Sequence, residues 1–201
     1  MNDKETVRCF VALELPPILK QELATLIVEL QHIDQSRKVR WVRPDGIHLT
    51  LKFLGDVAAS RLPEIISVTK NALAPVQPFS LIAAKLGVFP KADAPRIIWV
   101  GLDGNLKALA AAQHAVEQNL VPLGFAPETR PFSPHLTLGR VPDIGAEDKR
   151  RLGQALQTFS GKSSFGHFRF EEAVLMQSTL LPEGAIYSPI AHFKFEGDAP
   201  N

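Results

Sequence analysis

The sequence predicts an α+β fold with mainly antiparallel sheets, on two observations. Short β-rich apolar runs alternate irregularly with helix-period stretches, without the strict strand–helix–strand order of a parallel sheet. Sixteen prolines and thirteen glycines in 201 residues supply many turns and argue against a helical bundle. The elements follow in order. Residues 7–15 (VRCFVALEL) read as a strand, stopped by Pro16-Pro17, which opens a helix. Over 18–33, Leu19, Leu23, Leu26, Ile27 and Leu30 fall on one helical face. Trp41-Val42 and 47–54 are extended, separated by the turn Pro44-Asp45-Gly46. Residues 58–74 are helical. Strands at 79–88 and 97–102 flank the loop 89–96, and an Ala-rich helix covers 105–120. Pro131-Phe132-Ser133-Pro134 leads rigidly into a strand at 135–141. A helix at 147–159 precedes the last two strands, 164–179 and 185–195, which are joined by the turn Leu181-Pro182-Glu183-Gly184. No linker marks a boundary, so residues 1–201 are expected to form a single domain.

Composition narrows the function. Hydrophobic residues make up 45% and charged residues 21%, ordinary globular usage that argues against disorder. A net charge of +1 excludes a polybasic nucleic-acid binder, while leaving room for a local basic patch. The one cysteine, Cys9, allows neither an internal disulfide nor a cysteine-based zinc site and fits a reducing setting. The first ten residues are charged and lack the apolar core of a signal peptide, and no apolar stretch approaches the ~20 residues that span a bilayer. A cytoplasmic protein without membrane association is expected.

The informative feature is a repeat. His48-Leu49-Thr50-Leu51 recurs 87 residues later as His135-Leu136-Thr137-Leu138, each copy after a proline-bearing turn and inside a β-like run. Two chance copies have a probability of roughly 10⁻⁵, far below the usual risk of a misleading short motif. In a strand, residues two apart share a face at about 7 Å, so His48 and Thr50 point one way and the leucines the other. His135 and Thr137 do the same. Two imidazoles suit proton transfer near neutral pH, one accepting a proton while the other donates. Threonine hydroxyls donate hydrogen bonds to anionic oxygens, and Arg140 matches phosphate geometry. This inventory fits phosphodiester chemistry. A single copy would read as a plain surface strand; the matched pair does not. Metal binding is disfavoured because no carboxylate adjoins either histidine and no His-Glu-x-x-His is present. No metal and no cofactor are expected.

Other residues carry weaker signals. Phe10 is placed either in the core or as a stacking surface for a nucleobase. Trp41 and Trp99 read as packing residues, and Cys9 as an inert buried thiol. Arg40, Arg43, Lys52, Lys91, Arg96 and Arg130 either track an RNA backbone or form a solvated face. His32, His114, His167 and His192 lack the threonine partner and read as structural or solvated.

At the repeated motif the chain resembles the two-histidine (2H) phosphoesterase superfamily, specifically the LigT-like RNA 2′,3′-cyclic phosphodiesterases, also called 2′-5′ RNA ligases. The resemblance rests on His48-Leu49-Thr50-Leu51-Lys52-Phe53-Leu54-Gly55 and Pro134-His135-Leu136-Thr137-Leu138-Gly139-Arg140, supported by 8–12 and 95–99. It implies a bilobal fold, two pseudo-symmetric lobes around a central cleft, each giving one His-x-Thr. It also implies hydrolysis of RNA 2′,3′-cyclic phosphate ends to 2′-phosphate without metal or cofactor, and in some members 2′-5′ ligation of RNA. Carried over, His48 is the proton donor to O3′, His135 the proton acceptor that activates water, and Thr50, Thr137 and Arg140 hold the phosphate. The motif is nearly symmetric, so the two roles are exchangeable. RNA ends or nucleotides bearing a cyclic phosphate are the expected partners of a monomeric protein. Two other readings stay open: a hydrolase of a small cyclic phosphate such as ADP-ribose 1″,2″-cyclic phosphate, and a non-catalytic nucleotide- or RNA-binding module.

Overall fold

In the computed structural model, which describes residues 5–181 and 184–197, the strands sort into two antiparallel sheets. Strands β1 (Thr6–Glu14), β3 (His48–Ala58), β8 (Glu172–Leu181) and β9 (Gly184–Lys194) form a four-stranded sheet in the order β3-β1-β8-β9. Strands β2 (Arg40–Trp41), β4 (Phe79–Phe89), β5 (Ile97–Gly104), β6 (His135–Arg140) and β7 (Ser164–Phe170) form a five-stranded sheet in the order β2-β6-β5-β4-β7. Without β2 the two sheets correspond position for position, with β3 and β1 standing where β6 and β5 stand.

The helices are α1 (Pro17–Ile33), α2 (Leu62–Leu73), α3 (Leu106–Leu120) and α4 (Ala146–Gln157). Pro17 at the first turn of α1 needs no N–H partner, and Leu19, Leu23, Leu26, Ile27 and Leu30 are its buried face. Asn105 caps α3 by accepting from the Ala108 N–H at 3.1 Å. Helix packing is crossed. α1 follows β1 of the four-stranded sheet yet lies against β7 of the five-stranded one. α3 follows β5 of the five-stranded sheet and lies against β3 of the other as well as β4 of its own. One contiguous apolar core runs under both sheets. A second, small cluster of Phe10, Ala12, Val174 and Met176, with Tyr187 against it, covers the opposite face of the four-stranded sheet.

Two expectations needed correction. The stretch 164–179 is two strands, β7 and β8, in different sheets. The chain breaks at Glu171, and β7 pairs with β4 while β8 pairs with β1 and β9. A continuous β-rich run gives no local sign of where a chain changes sheet. The start of the 58–74 helix is a strand end followed by a single 3₁₀ turn, Ala59–Arg61. Pro182 and Glu183 of the last turn lie outside the described residues, but Leu181 pairs with Gly184 across it.

The strand registers are equivalent in the two halves. Glu14 and Ala12 lie opposite His48 and Thr50; Gly101 and Trp99 lie opposite His135 and Thr137. Each motif strand then carries a one-residue bulge. Ala12 pairs with Thr50 but Val11 with Lys52, leaving Leu51 extra. Trp99 pairs with Thr137 but Ile98 with Gly139, leaving Leu138 extra. A bulge shifts the face of the residues after it until the next one, and β3 carries a second at Leu54, where Phe10 pairs with Phe53 but Cys9 with Gly55. Lys52 therefore turns inward, where it is 6% exposed and bridges Glu117 of α3 at 2.7 Å. Lys52 also donates to the Ala126 carbonyl, and Glu117 accepts from the Glu128 N–H. This buried pair ties the first motif strand to the segment that leads toward His135.

Lys52→Met is expected to cost about 3–5 kcal/mol, because it leaves the Glu117 charge buried without a partner. Adding Glu117→Leu should recover most of that loss. Urea unfolding of wild type, single and double variants checks both statements.

Candidate active site

The two sheets meet where their motif strands approach, β3 from one and β6 from the other. The join is covalently short. β2 pairs with the end of β6, placing Trp41 opposite Gly139, and the Val42 N–H donates to the Leu138 carbonyl at 2.8 Å. A 3₁₀ turn at Pro44–Gly46 then delivers His48 directly to β3. The second motif thus anchors the chain that presents the first.

Both histidines are held alike. Nδ1–H of His48 donates to the Gly46 carbonyl at 2.8 Å, and Nδ1–H of His135 donates to the Ser133 carbonyl at 2.7 Å. A carbonyl only accepts, so each Nδ1 carries a hydrogen and each Nε2 is left for chemistry. Leu49, Leu51, Leu136 and Leu138 are buried on the other side, and Thr50 and Thr137 share the histidine face, half-buried. Neither threonine hydroxyl is engaged by another group among the described residues. Arg140 lies five residues after His135, an odd offset that an unbroken strand would point into the core. The Leu138 bulge reverses this: Arg140 pairs with Ile97 and Arg40, on the face that Trp99 and Thr137 share.

The surroundings of the two imidazoles differ. The His48 ring stacks on Phe10, centroids 4.6 Å apart and planes 29° from parallel, with Tyr187 edge-on at 4.8 Å. His135 meets Phe89 edge-on at 5.1 Å, beside Trp99. Trp99 lies flat over Gly87, where a Cβ would come within 2.3 Å of the indole. Burial, first, pushes His48 down to about 4; the Arg140 and Lys20 charges push the same way, against the Gly46 hydrogen bond. The Arg140 field at His48 couples the second motif electrostatically to the first.

Several sequence expectations change here. Phe10 is 1% exposed and its ring is taken by His48, Phe53 and Tyr187, so it supports the His48 imidazole and offers no surface to a base. The exposed ring is Phe53, 69% accessible. Phe53 pairs with Phe10 across β1 and so projects from the same face as His48. It stands in the first half where Arg140 stands in the second. Among the basic residues, Lys52 is buried, Arg130 is paired with Glu128, and Arg40, Arg43, Lys91 and Arg96 are exposed. Lys20, unremarked in the sequence, donates to Glu14 at 3.0 Å, and Glu14 is the register partner of His48. His32 donates to a carbonyl of its own helix, His192 pairs with Glu172, and His114 and His167 are exposed. Burial raises the Cys9 thiol to about 11, consistent with an inert core residue. Among the described residues no three His, Cys, Asp or Glu side chains gather in a metal-binding arrangement, and no helix is long and apolar enough to cross a membrane.

A two-lobed arrangement with one His-x-Thr on each motif strand defines a 2H-type phosphoesterase architecture. The model of the family described as "LigT like Phosphoesterase" matches residues 13–99 and again 100–187, starts that differ by the offset of the tetrapeptide repeat. The chain belongs to this family. It is 32% identical to an RNA 2′,3′-cyclic phosphodiesterase of Methanothermobacter thermautotrophicus, over 94% of this chain and 98% of that protein. It is also 32% identical to one of Methanocaldococcus jannaschii, over 92% and 98%. Apo LigT of Escherichia coli has the same fold, with a TM-score of 0.75 at 22% identity, covering 96% of this chain and 99% of that one.

His48 protonates at about 4 in the folded protein but near 6.5 when unfolded, so in between only the unfolded chain takes up the proton. Stability should therefore fall as pH drops from about 6.5 to about 4, by on the order of 3 kcal/mol from this group. His48→Gln should flatten that part of the curve. Chemical denaturation at several pH values across the window checks it.

Proposed function

We propose that this protein hydrolyses the 2′,3′-cyclic phosphate at an RNA end to a 2′-phosphate, by metal-independent acid–base catalysis between His48 and His135. The observation that carries the reading is the duplicated hold on the imidazoles: each Nδ1 is fixed by a carbonyl two residues upstream, and each Nε2 is free beside an unengaged threonine hydroxyl. The activity of the 32%-identical archaeal relatives supports the same reading.

Arg140, Thr50 and Thr137 hold the phosphate oxygens. His135, on the more open side, takes a proton from water through Nε2 as the water oxygen bonds to phosphorus. The P–O3′ bond breaks in line, and His48 Nε2–H donates its proton to the departing O3′. The 2′-ester bond remains. His135 then loses its proton to solvent, and His48 takes one up again with the next substrate. In the empty site His48 is neutral at pH 7, held so by burial and by Arg140. A phosphate anion beside Arg140 offsets that part of the positive field and favours a charged imidazole, so substrate binding raises the proton affinity of His48 against the larger effect of burial. A 5′-hydroxyl in place of water gives a 2′-5′ linkage through the same proton transfers. The exposed Phe53, on the His48 side, receives the base of the terminal nucleotide.

His48→Ala and His135→Ala should each lower turnover by about 10²–10⁴. Activity of the wild type should survive excess chelator, and its product should co-migrate with the 2′-phosphate standard. A substrate with sulfur in place of O3′ needs no strong acid, so it should restore His48→Ala and leave His135→Ala slow. Rescue of the other variant would exchange the two roles, and loss of activity with chelator, restored by a divalent metal, would overturn the mechanism.

Phe53→Ala should raise KM for a cyclic-phosphate-ended nucleotide about 10-fold with little change in kcat, since base stacking contributes about 1–3 kcal/mol. Steady-state kinetics of the variant measures this directly.

A further inference from the structure

We propose that Arg40 is a specificity-determining residue that binds the phosphodiester on the 5′ side of the terminal nucleotide, so that the site selects an RNA strand end over a mononucleotide. This rests on the reading of the site given above. Arg40 on β2 lies directly opposite Arg140 on β6. Cross-strand partners project from one face, so the two guanidinium groups stand side by side. That face is the catalytic one. The next pair, Trp41 with Gly139, turns to the core, where the indole comes so close that a Cβ on Gly139 would meet it at 3.1 Å. On the other flank of β6, Arg140 pairs with Ile97, two residues from the Trp99 that borders His135.

Like charges directly opposite each other destabilise a sheet. Neither arginine has an acidic partner among the described residues. Several exposed arginines elsewhere are paired, Arg8 with Asp56, Arg130 with Glu128, Arg150 with Glu147 and Arg169 with Glu171, while Arg37, Arg43 and Arg96 are not among the described residues; what sets Arg40 and Arg140 apart is that they are unpaired and directly opposite each other on the histidine face. A cross-strand arginine pair with no counter-charge is a site awaiting anions. One phosphate satisfies Arg140. Arg40 sits one strand further out, beyond β6, where a second anion joined to the first by one sugar can reach it. RNA places a phosphodiester there; a nucleoside 2′,3′-cyclic phosphate has none. The position is also rigid. Val42 is hydrogen-bonded to Leu138, and buried Val39 lies on the other side of the β2 pair.

The test compares three substrates: uridine 2′,3′-cyclic phosphate, the dinucleotide UpU ending in a cyclic phosphate, and the same dinucleotide with a neutral methylphosphonate as its inner linkage. Wild type should prefer the charged dinucleotide over the methylphosphonate by about 10-fold in kcat/KM, mostly through KM, the worth of one hydrogen bond to a charged group. Arg40→Gln should reduce that ratio to about twofold, and Arg40→Lys should keep part of it. Arg40→Gln should melt no lower than wild type, because it relieves a like-charge pair. An unchanged ratio in Arg40→Gln, no preference in wild type, or an equal loss on all three substrates would overturn the proposal. Failure of wild type to cleave any of the three would instead overturn the cyclic phosphodiesterase reading on which it stands.

Discussion

A regular strand keeps every second residue on one face, and Arg140 shares the face of His135 and Thr137 although that rule would hide it. The histidine and threonine of each motif obey the period of two; the arginine does not. The single extra residues Leu51 and Leu138 resolve the conflict by stepping the pleat once. The same step does three things. It turns Arg140 toward the cleft, turns Lys52 into the interior to meet Glu117, and exposes Phe53 beside His48. Removing either bulge would exchange the inward and outward residues beyond it, so the architecture of the cleft hangs on one backbone irregularity used twice.

Duplicated geometry does not give duplicated chemistry. Both imidazoles are oriented by the same backbone hydrogen bond, but one stacks over an apolar floor of Phe10 and Tyr187 and faces Arg140 and Lys20. Burial and positive charge act on it together. The equivalent positions after the bulges hold a phenyl ring in one half and a guanidinium in the other. A symmetric frame carrying unlike groups at these positions suits the asymmetric reaction proposed above, in which one oxygen arrives and another leaves.

Much of this was legible in the sequence for physical reasons. The His-x-Thr pairs announce themselves because a strand's period places both side chains together and a repeat removes chance. The apolar face of α1 and the proline that starts it are local signals. What was not legible depended on partners far along the chain. Phe10 read as core or as platform, with core the first reading, and its contact with His48 shows what its core position does. Lys52 and Arg130 looked like free cations until Glu117 and Glu128 were seen beside them. Lys20 carried no motif, and its relevance comes from folding back onto Glu14 opposite His48. The break at Glu171 is invisible because both strands around it are equally β-rich.

The crossed packing of α1 and α3 has a mechanical meaning. α1 belongs by sequence to one half and lies against a strand of the other, and α3 bridges both, touching β3 of the other sheet and β4 of its own, so the halves clasp each other like folded hands. Widening the cleft as a pair of jaws would peel α1 from β7 and α3 from β3 together, exposing apolar surface on both sides at once. Such an opening carries the cost of exposing that apolar surface, so the packing of the helices opposes it.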